Sequence, residues 1–266
     1  MTKICMIGNS HVAAMRLAWD KVAADYPMVD AHIYGSHARN LVTVQADAQK
    51  QLRFDGPSPW SFRAGEEPGR VRSIPLDGCV AVVIVGCDFG PACVFRTYKR
   101  YHFAGLKGRR KQALTRDYFK RAVAAAVDES AAGVLAKAIR AVVDAPVLLV
   151  PAPLPAESGF ADHDKVKMEP YRAAQEADDG QGLLEIYDEL CDDLGPRGLY
   201  VIRQPEVTKA SPLSSLQRYS DNSARLRVGD DALHSENDYF HMNEEYGSLV
   251  WAEIIGNLRV RQVIAT

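Results

Sequence analysis

Residues 80–86 read VAVVIVG. A β-branched run of this length, apolar at every position and closed by a glycine, fits a strand covered on both faces rather than one with a wet side. Four further runs behave alike: residues 3–8, 31–35, 147–151 (VLLVP) and 199–203. Helical stripes fill the gaps. Ala14, Leu17, Ala18 and Val22 line one face of residues 12–24, and Phe119, Val123, Val127, Leu135 and Ile139 line one face of residues 117–143. Residues 183–194 and 246–258 repeat the pattern. Buried strands alternating with helices predict an α/β fold with right-handed crossovers around a parallel sheet.

No repeat, low-complexity tract or Gly/Ser linker divides the 266 residues, so a single domain over 1–266 is expected. Three stretches fit no simple strand–helix unit. Residues 45–78 are rich in Gly, Pro and Arg, hold Trp60 and Phe62, and read as a small β excursion. Residues 92–121 form a basic insertion, and 204–237 a long polar loop. Insertions of this size in compact α/β domains usually furnish active sites.

A net charge of -2 gives no global reason for nucleic-acid binding, and no apolar run reaches the ~18 residues of a membrane span. The five cysteines are odd in number and lack CxxC spacing, which predicts reduced thiols. With no signal-like N-terminal segment, a cytoplasmic location is expected.

Chemistry enters at residues 8–11, Gly-Asn-Ser-His, between the first strand and the first helix. Ser10 is there either as an N-cap or as a nucleophile on a helix N-terminus that favours negative charge. Near the other end, Asp238-Tyr239-Phe240-His241 precedes an apolar helix. Three-residue spacing lets both side chains face one way: His241 could deprotonate Ser10, with Asp238 fixing the imidazole. A solvated Asp and a His at a helix start are the bland alternative.

Together the two blocks resemble those of the SGNH (GDSL-like) hydrolase superfamily, Gly-Asp-Ser and Asp-x-x-His. The Ser10-His11 pair looks most like its carbohydrate O-acetyl esterases and O-acyltransferases. The resemblance implies a three-layer α/β/α sandwich with a five-stranded parallel sheet in flavodoxin-like order 2-1-3-4-5. It implies Ser10 as nucleophile, His241 as base, Asp238 as its partner, and an oxyanion hole from Ser10, Gly35 and an Asn after the third strand. Asn9 and His11, beside the serine, are then expected at the substrate.

This chain departs from the pattern at one donor. The third block falls on Gly86-Cys87-Asp88-Phe89, placing Asp88 where the family has Asn. An ionised carboxylate cannot donate to an oxyanion, and losing one such donor typically costs ~10²–10³ in rate. Either Asp88 is protonated, or another donor such as Asn40 or Asn243 serves, or hydrolysis has been lost. Asn9 replaces the family's Asp with another short turn former. Cys87 lacks a basic partner and reads as a small buried hydrophobe. His234, Asp238 and His241 match no standard ligand spacing, so neither a metal nor another cofactor is expected.

Residues 96–121 carry ten Lys or Arg against one Asp, Asp117. Arg96, Tyr98, Lys99, Arg100, Arg109 and Arg110 could form a lid for an anionic carbohydrate or a nucleotide-like carrier. The same charges could equally be a solvated face, or pair with acidic residues elsewhere in the chain. The leading expectation is a serine esterase or O-acyltransferase acting on acyl groups, O-acetyl foremost, of a carbohydrate-like, anionic substrate. The alternative is a non-catalytic module with a degraded oxyanion hole that binds an anionic glycan or nucleotide-sugar.

Overall fold

A computed structural model describes residues 1–63, 66–109, 112–226 and 232–264. Its centre is a seven-stranded, mostly parallel sheet. The strands are β1 (Thr2–Gly8), β2 (Val29–Gly35), β3 (Trp60–Phe62), β4 (Gly69–Arg70), β5 (Cys79–Val85), β6 (Val147–Val150) and β7 (Leu199–Val201). They lie in the order β7-β6-β5-β1-β2-β3-β4. β7, β6, β5, β1 and β2 pair in parallel, whereas β3 and β4 add antiparallel. The sheet therefore has two strands more than the five expected. Both come from the 45–78 excursion, which also folds a separate three-stranded sheet from Val44–Ala46, Gln51–Phe54 and Ser73–Pro75.

Side chains alternate across the sheet into two apolar clusters. Cys5 and Ile7 of β1 and Val82 and Ile84 of β5 enter one. Ile4 and Met6, with Ala81, Val83 and Val85, enter the other. This two-sided burial is why the strands read as unbroken apolar runs. Helices α1 (Val12–Val22) and α6 (Glu244–Val260) supply the second cluster. Helices α2 (Ala92–Tyr98), α3 (Arg116–Asp128), α4 (Ala131–Arg140) and α5 (Gly180–Leu194) supply the first. No helix among the described residues is long and apolar enough to cross a membrane.

The long helical stripe over 117–143 is two helices. Ser130 Oγ accepts the Gly133 N–H at 3.2 Å and caps α4, and a Cβ at Gly133 would strike the Val127 carbonyl as the chain turns. The apolar period runs through the break because both helices pack on one core.

Register sets the functional edge. Gly8 stands beside Gly35 on one side and Val85 on the other, and Gly35 stands beside Trp60, itself paired with Arg70. The carboxyl ends of three parallel strands and the excursion therefore meet in one place, where open α/β sheets hold ligands.

Candidate active site

The chain leaves β1 at Gly8, where a Cβ would come within 2.7 Å of the Val85 carbonyl. Helix α1 then starts with His11 at its N-cap, and no side chain caps it. Ser10 therefore does not act as the cap. Its Oγ lies 2.7 Å from His241 Nε2. His241 Nδ1 lies 2.8 Å from Asp238 Oδ2. Asp238 Oδ1 accepts the backbone N–H groups of Phe240 and His241, at 3.0 and 3.2 Å, so the acid and the base are fixed by one short turn. Asn243 then caps α6, its Oδ1 accepting from Glu245 and Tyr246.

Burial would raise the Asp238 pKa, but hydrogen bonds from His234 and His241 more than reverse this. The group ends well below the usual carboxylate range. Asp238 is thus held ionised, as a partner that stabilises an imidazolium must be. His234 is a second imidazole on the same oxygen, with Nδ1 3.0 Å from Asp238 Oδ2. Its ring stacks on His241 at 3.8 Å and 8°. From the other side His11 stacks on His241 at 4.9 Å. Desolvation, with the neighbouring His241, pushes the His11 pKa down to about 3, so this ring stays neutral.

His234, Asp238 and His241 bring ligand atoms within 4.8 Å of one another, close enough to share a cation. In the arrangement seen, however, both Nδ1 atoms already face Asp238 Oδ2, and His241 Nε2 faces Ser10.

Ser10 opens onto a cavity of about 440 Å³, lined also by Gly35, Asn40, Trp60 and His234. Leu226 roofs Gly35 so closely that a Cβ there would collide with it. Asn40 is buried and donates from Nδ2 to Ser36 Oγ at 3.2 Å, leaving its second amide hydrogen. Asn243, the other substitute donor considered, is spent: its Nδ2 donates to the Arg218 and Asp221 carbonyls.

Asp88 does not join this group. After β5 the backbone passes through three successive left-handed residues, Gly86, Cys87 and Asp88, at φ 67°, 54° and 62°. Gly86 must be glycine, since a Cβ would sit 2.5 Å from Asn9 Oδ1 and 2.7 Å from His11 Cδ2. The turn swings Asp88 outward; its side chain is 53% exposed, 3.9 Å from Arg96, and lines a different cavity. Cys87 is fully buried, which pushes its thiol up to about 12, and this excludes a thiolate nucleophile.

Asn9 and His11 also differ from expectation, because neither lines the Ser10 cavity. Asn9 Oδ1 accepts the His11 N–H at 3.3 Å, and the His11 ring backs His241. They shape the turn that carries Ser10 rather than the cavity wall.

No described residue of the basic insertion lines this cavity. Arg96, Tyr98, Lys99, Arg100 and Arg109 are all absent from its lining; Arg110 lies outside the described residues. Arg96 faces Asp88, Lys99 pairs with Glu169, Lys107 with Asp178, Arg116 with Glu189, and Lys120 with Glu189 and Asp193. Tyr98 is buried and donates to Asp179 Oδ2 at 2.7 Å. Among the described residues the arginines that do line the Ser10 cavity are Arg39, Arg70 and Arg225. The first two come from segments whose placement no periodicity announces. Arg225 comes from the polar stretch 204–237, which also contributes Leu226 and His234 to the lining.

The chain matches no protein-family model and no curated protein. It is similar to the crystal structure of a DUF4886 family protein from Bacteroides uniformis ATCC 8492, at 12% identity over 98% of this chain and 84% of that chain, with a TM-score of 0.46. A likeness this distant says nothing of function.

Proposed function

We propose that the protein is a serine esterase or O-acyltransferase of the SGNH type, acting on acyl groups of a carbohydrate-like alcohol. One observation carries the reading: the unbroken chain Ser10 Oγ–His241 Nε2 at 2.7 Å and His241 Nδ1–Asp238 Oδ2 at 2.8 Å. The order of the five parallel strands, 2-1-3-4-5 when they are numbered among themselves, supports the three-layer sandwich of that superfamily. Trp60 in the cavity wall supports a ring-bearing substrate.

In this reading Ser10 attacks the ester carbonyl while His241 takes its proton. The oxyanion forms beside the Ser10 and Gly35 backbone, with the Asn40 amide in the role that Asp88 cannot fill. His241 returns the proton to the departing alkoxide, leaving an acyl-serine. Water or a sugar hydroxyl then attacks it, again deprotonated by His241, and Ser10 is regenerated.

The test is covalent labelling with a fluorophosphonate. Wild-type protein should label and Ser10→Ala should not. Absence of labelling in wild type over a broad pH range would instead favour a binding module, the reading to which the lack of Asn at position 88 lends weight.

A further inference from the structure

Several arginines of the described surface meet carboxylates: Arg53 with Asp47, Arg63 with Asp30 and Glu66, Arg203 with Asp188 and Asp192. Among the described residues Arg39, Arg70 and Arg225 line the Ser10 cavity, and no Asp or Glu does. Among the described residues neither Arg39 nor Arg225 has an ion pair. Arg70 is held in place without a carboxylate: its guanidinium donates to the Ser58 carbonyl at 2.5 Å and lies 4.5 Å over the Trp60 ring. Three like charges converging on about 440 Å³ repel one another unless an anion enters. A guanidinium already fixed by stacking and a backbone carbonyl loses little freedom when it grips planar anionic oxygens.

We propose that this arginine-lined wall binds a carboxylate, sulfate or phosphate group carried by the substrate whose ester Ser10 attacks. The site is thereby selective for acylated acidic sugars over neutral ones. The proposal rests on the esterase reading for what happens to the bound molecule. The anion subsite itself can be read with no chemistry at all.

The experiment is calorimetric titration of wild type and of Ser10→Ala with glucuronate, glucose 6-sulfate, glucose 6-phosphate and glucose. At least one anionic sugar should bind both proteins about tenfold or more tighter than glucose, and the tightest of the three identifies the group. Arg39→Gln and Arg225→Gln should each weaken that binding about tenfold, a loss of one charge-assisted contact. Arg39→Lys should recover part of it. Both arginine side chains are exposed, so thermal melts will confirm that the variants fold. Anionic sugars binding no tighter than glucose, or binding unmoved by both Gln variants, would overturn the proposal. Anion binding that follows the arginines in a protein that never labels with phosphonate would sink the esterase reading and leave the subsite standing.

Discussion

Two basic regions of this molecule contrast. The insertion at 92–121 holds the densest run of positive charge in the chain, yet most of its described cations meet a carboxylate, chiefly from residues 169–193. Among the described residues the cavity beside Ser10 gathers three arginines, drawn from separate segments, and none of them has an ion pair. Density along the chain reports how charged a stretch is. Only pairing in space reports whether that charge is spent within the fold or left for a ligand.

The insertion is fastened at one buried point. Asp179, 2% exposed, accepts from Tyr98 Oη, from the Lys107 N–H and from the Gly108 N–H. Asp179→Ala strands all three donors and should cost about 2–4 kcal/mol of stability in urea unfolding, the largest effect expected outside the triad. If the insertion is a brace, turnover of p-nitrophenyl acetate at 25 °C should change little. A selective loss of turnover at unchanged stability would break the contrast.

On the cavity side, His11 ties stability to pH. Its folded pKa, about 3, lies below the ordinary histidine value near 6.5. The stability its neutral form contributes is therefore complete above pH 6.5 and drains away as pH falls toward 3. The wild-type urea midpoint should drop between pH 6.5 and 4.5, and His11→Asn should flatten that drop. Equal slopes would show that the imidazole stack is not what couples folding to protons. The smallest effect sharpens the contrast most. Arg100→Glu and Arg109→Glu, both exposed and outside the Ser10 cavity, should leave binding of the anionic sugars within about twofold. A tenfold loss would return the insertion to the substrate path.

Much of this was legible in the sequence, and what was not has physical reasons. The five parallel strands announced themselves because burial on both faces leaves a continuous apolar run. The Ser10–His241–Asp238 geometry was legible because each partner sits at a strand or helix boundary in a short motif. Asp88 was misplaced because motif alignment assumes an ordinary backbone, and three consecutive left-handed residues do not keep the expected direction. Arg70 was missed because a two-residue strand has no period. Arg39 was missed because it rides on the four-residue helix Ala38–Leu41. Trp60 beside arginines in a Gly- and Pro-rich stretch was the available clue. His234 was noticed only as a conceivable metal ligand beside Asp238 and His241, since stacking leaves no trace in spacing.

The docking of α6 on α1 has a kinetic meaning. Gly247 lets the two helices approach until the Ala14 carbonyl leaves no room for a Cβ, and the Trp251 indole donates to the Met15 carbonyl at 2.8 Å, 236 positions away along the chain. That seam carries His241 to Ser10. Contacts of such sequence separation carry a large loop-closure cost and tend to be late in folding. A ribosome-bound chain lacking α6 would hold its serine with no base beside it. If the proposed esterase reading holds, phosphonate reactivity would appear only after α6 is made, and its appearance during synthesis would time the final closure of the fold.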